Sequence, residues 1–342
     1  MTATTPFFWN GILNSSPMQS LSRMFAPWAS LVGPVPRIKR STANHQVRSM
    51  VRPRNRLLDE IFYNVADSDK QQVISYGGTT QGSVIYLSPV EKEPLIFFPD
   101  VVDFLTHSCS KEVAAVSVAG VGSSAIGAVG LARDVANATG LPVAAIVSGY
   151  GLDDLTYEAL GGAFFLREVN RLEFAFEQMH GLANLVAFTG LLPAIETYDS
   201  VGAGPDMATA KALLRDGRLP KLELLVGHSK GNLLISGAIG ELVIENAPIN
   251  LDDVKIVLFS AISALPGIGH QTQIIGSLDA LGWMNSRLNI PFKLVINAMH
   301  HLNKKLPLHI DVVEELHCLR DNSKPVALNL PFNGGSLHVG WV

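Results

Sequence analysis

Residues 224–232 read LLVGHSKGN. Within them Gly227-His228-Ser229-Lys230-Gly231 matches G-x-S-x-G, the spacing of a nucleophile elbow, in which a sharp turn holds a serine hydroxyl up for attack. Such a serine can attack a carbonyl carbon, but only when a neighbouring base takes its proton. His228 is one position from Ser229, where its ring would have difficulty reaching Oγ, so it reads as a supporting residue. The alternative to chemistry is a tight turn whose serine caps the following helix.

An elbow needs a buried strand on one side of the turn and a helix on the other. The segment KLELLVG supplies the strand and NLLISGAIGELVIEN the helix, whose N-terminus aims N–H groups and partial positive charge at the turn. Gly227 and Gly231 leave room around the serine. The same alternation extends outward: strand EVAAVSVAG, helix 123–138, strand LPVAAIVSG, helix 205–217, then strands VKIVLFSAI, QIIGSLD and FKLVINA. Continuous apolar strands alternating with helices predict an α/β fold with a mostly parallel central sheet and helices on both faces. Earlier, EIFYNV, QQVISY, SVIYLS and PLIFF predict strands, partly antiparallel, between the turn segments GGTTQG and SPVEKEP. The segment ISALPGIGHQT is short for a crossover helix, which leaves Ile274 and Ile275 open between strand and helix, and Asp279 moves with them. Residues 57–342 form the predicted α/β domain. Within it, residues 151–205 exceed what one crossover needs and carry Phe164, Phe165, Phe174 and Phe176. They read either as a cap insertion between two central strands, over an apolar acyl pocket, or as two helices with aromatic core faces.

GHSKG between strand and helix, with this strand order, makes residues 60–320 similar to the α/β-hydrolase superfamily, which includes serine esterases and lipases. The resemblance implies a catalytic triad in the chain order Ser…Asp/Glu…His. It places the acid at Asp279, just past QIIGSL, with Asp252, Asp253 and Asp311 as alternatives. FKLVINAMHH delivers His300 and His301 at the C-terminal end of a strand, where open α/β sheets carry their sites. His300 is the expected base and His301 the alternative. Ser229 would attack, the histidine would move the proton, and Asp279 would hold the imidazole tautomer. An oxyanion hole needs preformed donors, worth about 3 kcal/mol each. The resemblance implies the N–H of Lys230 and one from the turn Gly120-Val121-Gly122, with Val121 or Gly122 as donor. Many hydrolases have His-Gly there, whereas this chain has AGVGSS. The expected activity is hydrolysis of a carboxylic ester or thioester of an acyl or lipid-like substrate, polyester included, through an acyl-enzyme. An acyltransferase would use the same residues, and a binding protein on a hydrolase fold would have lost turnover.

GVGSSA also fits the dinucleotide fingerprint G-x-G-x-x-G/A through Gly120, Gly122 and Ala125. That pattern needs an acid about 20 residues on. The next strand ends in Ser148 and Gly149, and Asp153 comes too late, so an NAD-dependent oxidoreductase is the least favoured class. No cofactor is expected. Cys109 and Cys318 lie far apart and make no metal pair or disulfide framework, which suits free thiols in a reducing compartment. No histidine pair has ligand spacing and none is expected to bind metal.

The 342 residues, 47% of them hydrophobic and 16% charged, suffice for a well-buried core. Residues 1–56 hold eight Lys/Arg and no Asp or Glu, so the whole-chain charge of −4 leaves −12 on the rest. Within this basic arm Met18, Leu21, Met24, Phe25, Trp28, Leu31 and Val32 recur at helical spacing, and residues 33–56 read as a Pro/Arg/Ser-rich linker. The arm is expected either to pack on the body or to lie on a lipid or polymer surface; a targeting role is weakened by Pro17, Pro27, Pro34 and Pro36. No run of 18 apolar residues predicts a transmembrane span. The expected location is cytoplasmic, with peripheral surface contact, and no nucleic-acid partner.

Overall fold

The structure is a computed structural model. It describes residues 59–89, 93–120, 123–148, 204–215, 217–287, 290–320, 326–328 and 337–339, all within one unit, residues 48–342. The basic arm and residues 151–203 of the expected cap lie outside the described residues.

Among the described residues ten strands make one sheet: β1 (Val84–Leu87), β2 (Ile96–Phe98), β3 (Ala115–Val118), β4 (Val143–Ile146), β5 (Leu224–His228), β6 (Lys255–Phe259), β7 (His270–Gly276), β8 (Phe292–Val295), β9 (Val326–Leu328) and β10 (Leu337–Val339). Their order is β2-β1-β4-β3-β5-β6-β7-β8-β10-β9. From β4 through β8 to β10 every pairing is parallel. The edges are antiparallel, β1 pairing with both β2 and β4, and β10 with β9. The fold is therefore α/β with a mostly parallel sheet.

Helices cover both faces, which is why the central strands β3 to β6 are mostly apolar. Side chains alternate across a strand. Ala115, Val143, Ala145, Val226, Val257 and Ile274 face one core with α3 (Ala125–Thr139) and α7 (Val312–Arg320). Val116, Val118, Ala144, Ile146, Leu225 and Leu258 face the other, with α4 (Pro205–Leu214) and α5 (Lys230–Ile244). Further helices among the described residues are α1 (Asp67–Tyr76), α2 (Val101–Thr106) and α6 (Ala280–Met284). No helix among the described residues is long and apolar enough to cross a membrane.

Two expected strands are helical. EIFYNV begins as a helical turn at residues 59–62, and QQVISY lies within α1. Short apolar runs do not separate strand from helix by themselves. The deciding signals here are Asp67 and Asp69 in the first turn of α1, favourable at the positive end of the helix dipole, and Gly77 at φ 63°, which closes it. Asp69 also forms a buried two-point ion pair with Arg133 of α3, at 3.0 and 3.1 Å, which ties α1 to the core layer. SVIYLS and PLIFF do form antiparallel strands. The segment at Ile274–Ile275 is strand, and residues 260–269 link the parallel neighbours β6 and β7 with no helix between them.

Candidate functional site

Ser229 is the junction of β5 and α5. Its φ of 53° and ψ of −117° are forced on a non-glycine residue, a conformation that costs on the order of 1–3 kcal/mol and clusters at functional sites. Its surroundings hold the turn there. Ser229 N–H donates to Phe259 C=O at 2.9 Å, and its carbonyl accepts from Asn232 N–H at 3.0 Å. The Asn232 amide donates to the carbonyls of Phe259 and Ala261 at 2.9 and 2.7 Å, pinning the first turn of α5 to the end of β6. Both elbow glycines are required by space. A Cβ on Gly231 would lie 2.1 Å from Val118 O, and one on Gly227 2.5 Å from Asn232 Oδ1.

His300 lies in the loop after β8. Its Nε2 is 3.1 Å from Ser229 Oγ and its Nδ1 is 2.7 Å from Asp279 Oδ1. A carboxylate only accepts, so Nδ1 carries the proton and Nε2 turns its lone pair to the serine hydroxyl. Asp279 caps α6: the same Oδ1 accepts Gly282 N–H at 2.6 Å. The Asp279 side chain is fully buried and the imidazole nearly so, 13% exposed, leaving the pair in a weakly screened setting. The Phe62 ring meets the His300 imidazole edge-on, centroids 5.8 Å apart.

The other sequence candidates fall elsewhere. His301 turns away and donates from Nε2 to Pro307 C=O at 3.1 Å; burial lowers its pKa. Asp252 and Asp253 are exposed just before β6, at the opposite end of the parallel strands from Ser229. Asp311 accepts from Val313 and Glu314 N–H at the start of α7. His228 is buried, and burial holds it well below the usual imidazole pKa. Its Nδ1 is 2.7 Å from Tyr63 Oη and its Nε2 2.9 Å from His300 O. Lys230 is the first residue of α5, so its N–H belongs to a turn with no acceptor inside the helix. Val121 and Gly122 lie outside the described residues.

Gly120 N–H, just before them, donates to Tyr63 Oη at 2.6 Å. On the far side of that loop, Asp59 accepts from Ser123 Oγ at 3.0 Å and from Ser124 N–H at 3.1 Å. Burial pushes Asp59 up to about 7 and these hydrogen bonds pull against it. This carboxyl fills the N-terminus of α3, the place a pyrophosphate would take in a dinucleotide site. Tyr63, Asp59, Phe62 and Asn232 were not singled out from sequence. Only Asn232, directly after the G-x-S-x-G pattern, had a positional signal.

No family model matches the chain, and no curated protein matches it. Among solved structures it is similar to a hyperthermophilic esterase from the archaeon Pyrobaculum calidifontis, at 11% identity and a TM-score of 0.34, over 83% of this chain and 90% of that one. At that level the likeness adds nothing to the geometry.

Proposed function

We propose that this protein is a serine hydrolase of the α/β-hydrolase type, cleaving a carboxylic ester or thioester through an acyl-enzyme on Ser229. One observation carries the reading: a serine at positive φ, an imidazole 3.1 Å from its Oγ, and a carboxylate 2.7 Å from the other ring nitrogen. His300 Nε2 takes the hydroxyl proton as Oγ bonds to the carbonyl carbon. The carbonyl oxygen becomes an oxyanion, met by Lys230 N–H and a donor from Val121–Gly122. Collapse breaks the bond to the leaving oxygen or sulfur, which takes the proton from His300. Water then repeats the cycle and frees the acid. Asp279 keeps the proton on Nδ1 and stabilises the imidazolium that forms twice per turnover.

An apolar acyl or lipid-like substrate is favoured by the 47% hydrophobic composition and the aromatic residues of segment 151–203. The basic, amphipathic arm suits work at a lipid or polymer surface. A fluorophosphonate probe, with p-nitrophenyl esters and acyl-CoAs of graded chain length, tests the reading. Labelling that disappears in Ser229→Ala, with turnover of at least one ester, is expected. Absence of labelling at Ser229 in folded protein overturns it.

A further inference from the structure

We propose that Tyr63 and His228 are positioning residues that tie the loop after β3 to the loop bearing His300, so that one hydrogen-bond series sets both sides of the site; this rests on the hydrolase reading above. The direction of the series is fixed by chemistry. Gly120 N–H can only donate, so Tyr63 Oη accepts it at 2.6 Å. The tyrosine's single proton then goes to His228 Nδ1 at 2.7 Å. His228 therefore carries its own proton on Nε2 and donates it to His300 C=O at 2.9 Å. Every polar atom of the two side chains is used, as burial demands: Tyr63 is 3% exposed and His228 1%. Their rings meet edge to face, centroids 5.4 Å apart. Ser260 Oγ gives the His300 carbonyl a second donor at 3.3 Å.

Space is as restricted as bonding. A Cβ on Gly120 would lie 3.0 Å from His228 Nδ1 and 3.2 Å from both Tyr63 Oη and Ser229 Cβ. Any side chain at Gly120 would crowd both the series and the serine. Segment 59–63 grips the two loops at further points. Asp59 holds Ser123 and Ser124, while Phe62 C=O accepts Leu302 N–H at 2.8 Å, just past His300. The His300 imidazole is carried on the backbone whose carbonyl His228 holds. A shift there of about 1 Å would cost on the order of 100-fold in rate.

The test uses His228→Gln, His228→Asn and Tyr63→Phe in the full chain. A glutamine amide nitrogen reaches the Nε2 position and can still donate to His300; an asparagine amide nitrogen reaches only the Nδ1 position. We measure kcat and KM on a soluble p-nitrophenyl ester, the rate of fluorophosphonate labelling at Ser229, and thermal unfolding. Expected for His228→Asn is a kcat about 100-fold lower with KM within about twofold. His228→Gln should recover to within about fivefold of the parent. Tyr63→Phe, which removes one oxygen and leaves the ring, should lose about tenfold in kcat. Labelling should slow in the same proportions. Equal losses in the Asn and Gln variants at equal thermal midpoints, or parental kcat in Tyr63→Phe, overturn the proposal. If His228→Asn does not fold, Tyr63→Phe decides alone. A parent that labels while the variants keep its rate sinks only the positioning role; a parent that neither labels nor turns over ester sinks the hydrolase reading, and the positioning role with it.

Discussion

Ser229 stands at positive φ with the His300 imidazole 3.1 Å from its Oγ, and the buried Asp279 carboxylate meets the other ring nitrogen. Ser229→Ala removes Oγ and should lower kcat by at least about 10³-fold without changing the fold, measured on a soluble ester with circular dichroism alongside. His300→Ala should match it. His301→Ala should cost less than about tenfold, because its Nε2 serves Pro307 C=O and not the serine. Asp279→Asn should cost about 10³–10⁴-fold, since an amide facing Nδ1 favours the wrong tautomer. Equal losses at His300 and His301 would contradict the assignment of the base.

The elements place these atoms by close approach. The first turn of α5 passes so near the end of β3 that Gly231 tolerates no side chain: the added carbon would sit 2.1 Å from Val118 O. Gly231→Ala is expected to destabilise the protein by about 3 kcal/mol in urea unfolding and to lower kcat as the elbow shifts. Full stability in that variant would mean β3 and α5 can separate at no cost. The turn at residues 59–62 belongs to the same machinery. It precedes β1, yet brings Asp59 to the N-terminus of α3 and Phe62 to His300.

For the whole molecule, buried titratable groups give stability a pH dependence of two signs. Asp134 in α3 is 4% exposed, and burial pushes its carboxyl up to about 7, partly offset by Lys304. A pKa raised on folding contributes stability at low pH that is lost as pH rises from about 4 through 7. Asp134→Asn should therefore stabilise at pH 8.5, by on the order of 2 kcal/mol, with the gain vanishing near pH 4. A gain independent of pH would show that its charge is not the cause. His228 and His301 are shifted down by burial and act oppositely: their contribution is complete above about 6.5 and is lost as pH falls below it. Truncation tests the organisation of the chain. Removing residues 1–56 should spare turnover of a soluble ester and abolish binding to lipid or polymer particles. Removing residues 1–63 should abolish turnover too, because Asp59, Phe62 and Tyr63 go with it. Particle binding that survives the first deletion would remove the arm from that role.

The sheet was largely legible because its signals are local. Strands buried on both faces are mostly apolar, so β3 to β6 stand out as runs, and G-x-S-x-G marks a place where strand, serine and helix are covalently contiguous. The choice between strand and helix at EIFYNV and QQVISY was not legible, because a run of six residues fits either period and capping decides it. The sequence put His300 ahead of His301 without settling the order: adjacent residues point in different directions, and only the path of the loop after β8 says which ring meets the serine. Tyr63 and Asp59 carried no pattern at all. They join Gly120, His228 and Ser124 across 57 to 165 residues of chain. Sequence alone determined which segments bury themselves and where a strained serine could stand. Tertiary structure decided which polar atoms reach it, since burial depends on local composition, whereas a hydrogen bond between distant residues exists only once the sheet has brought them within 3 Å.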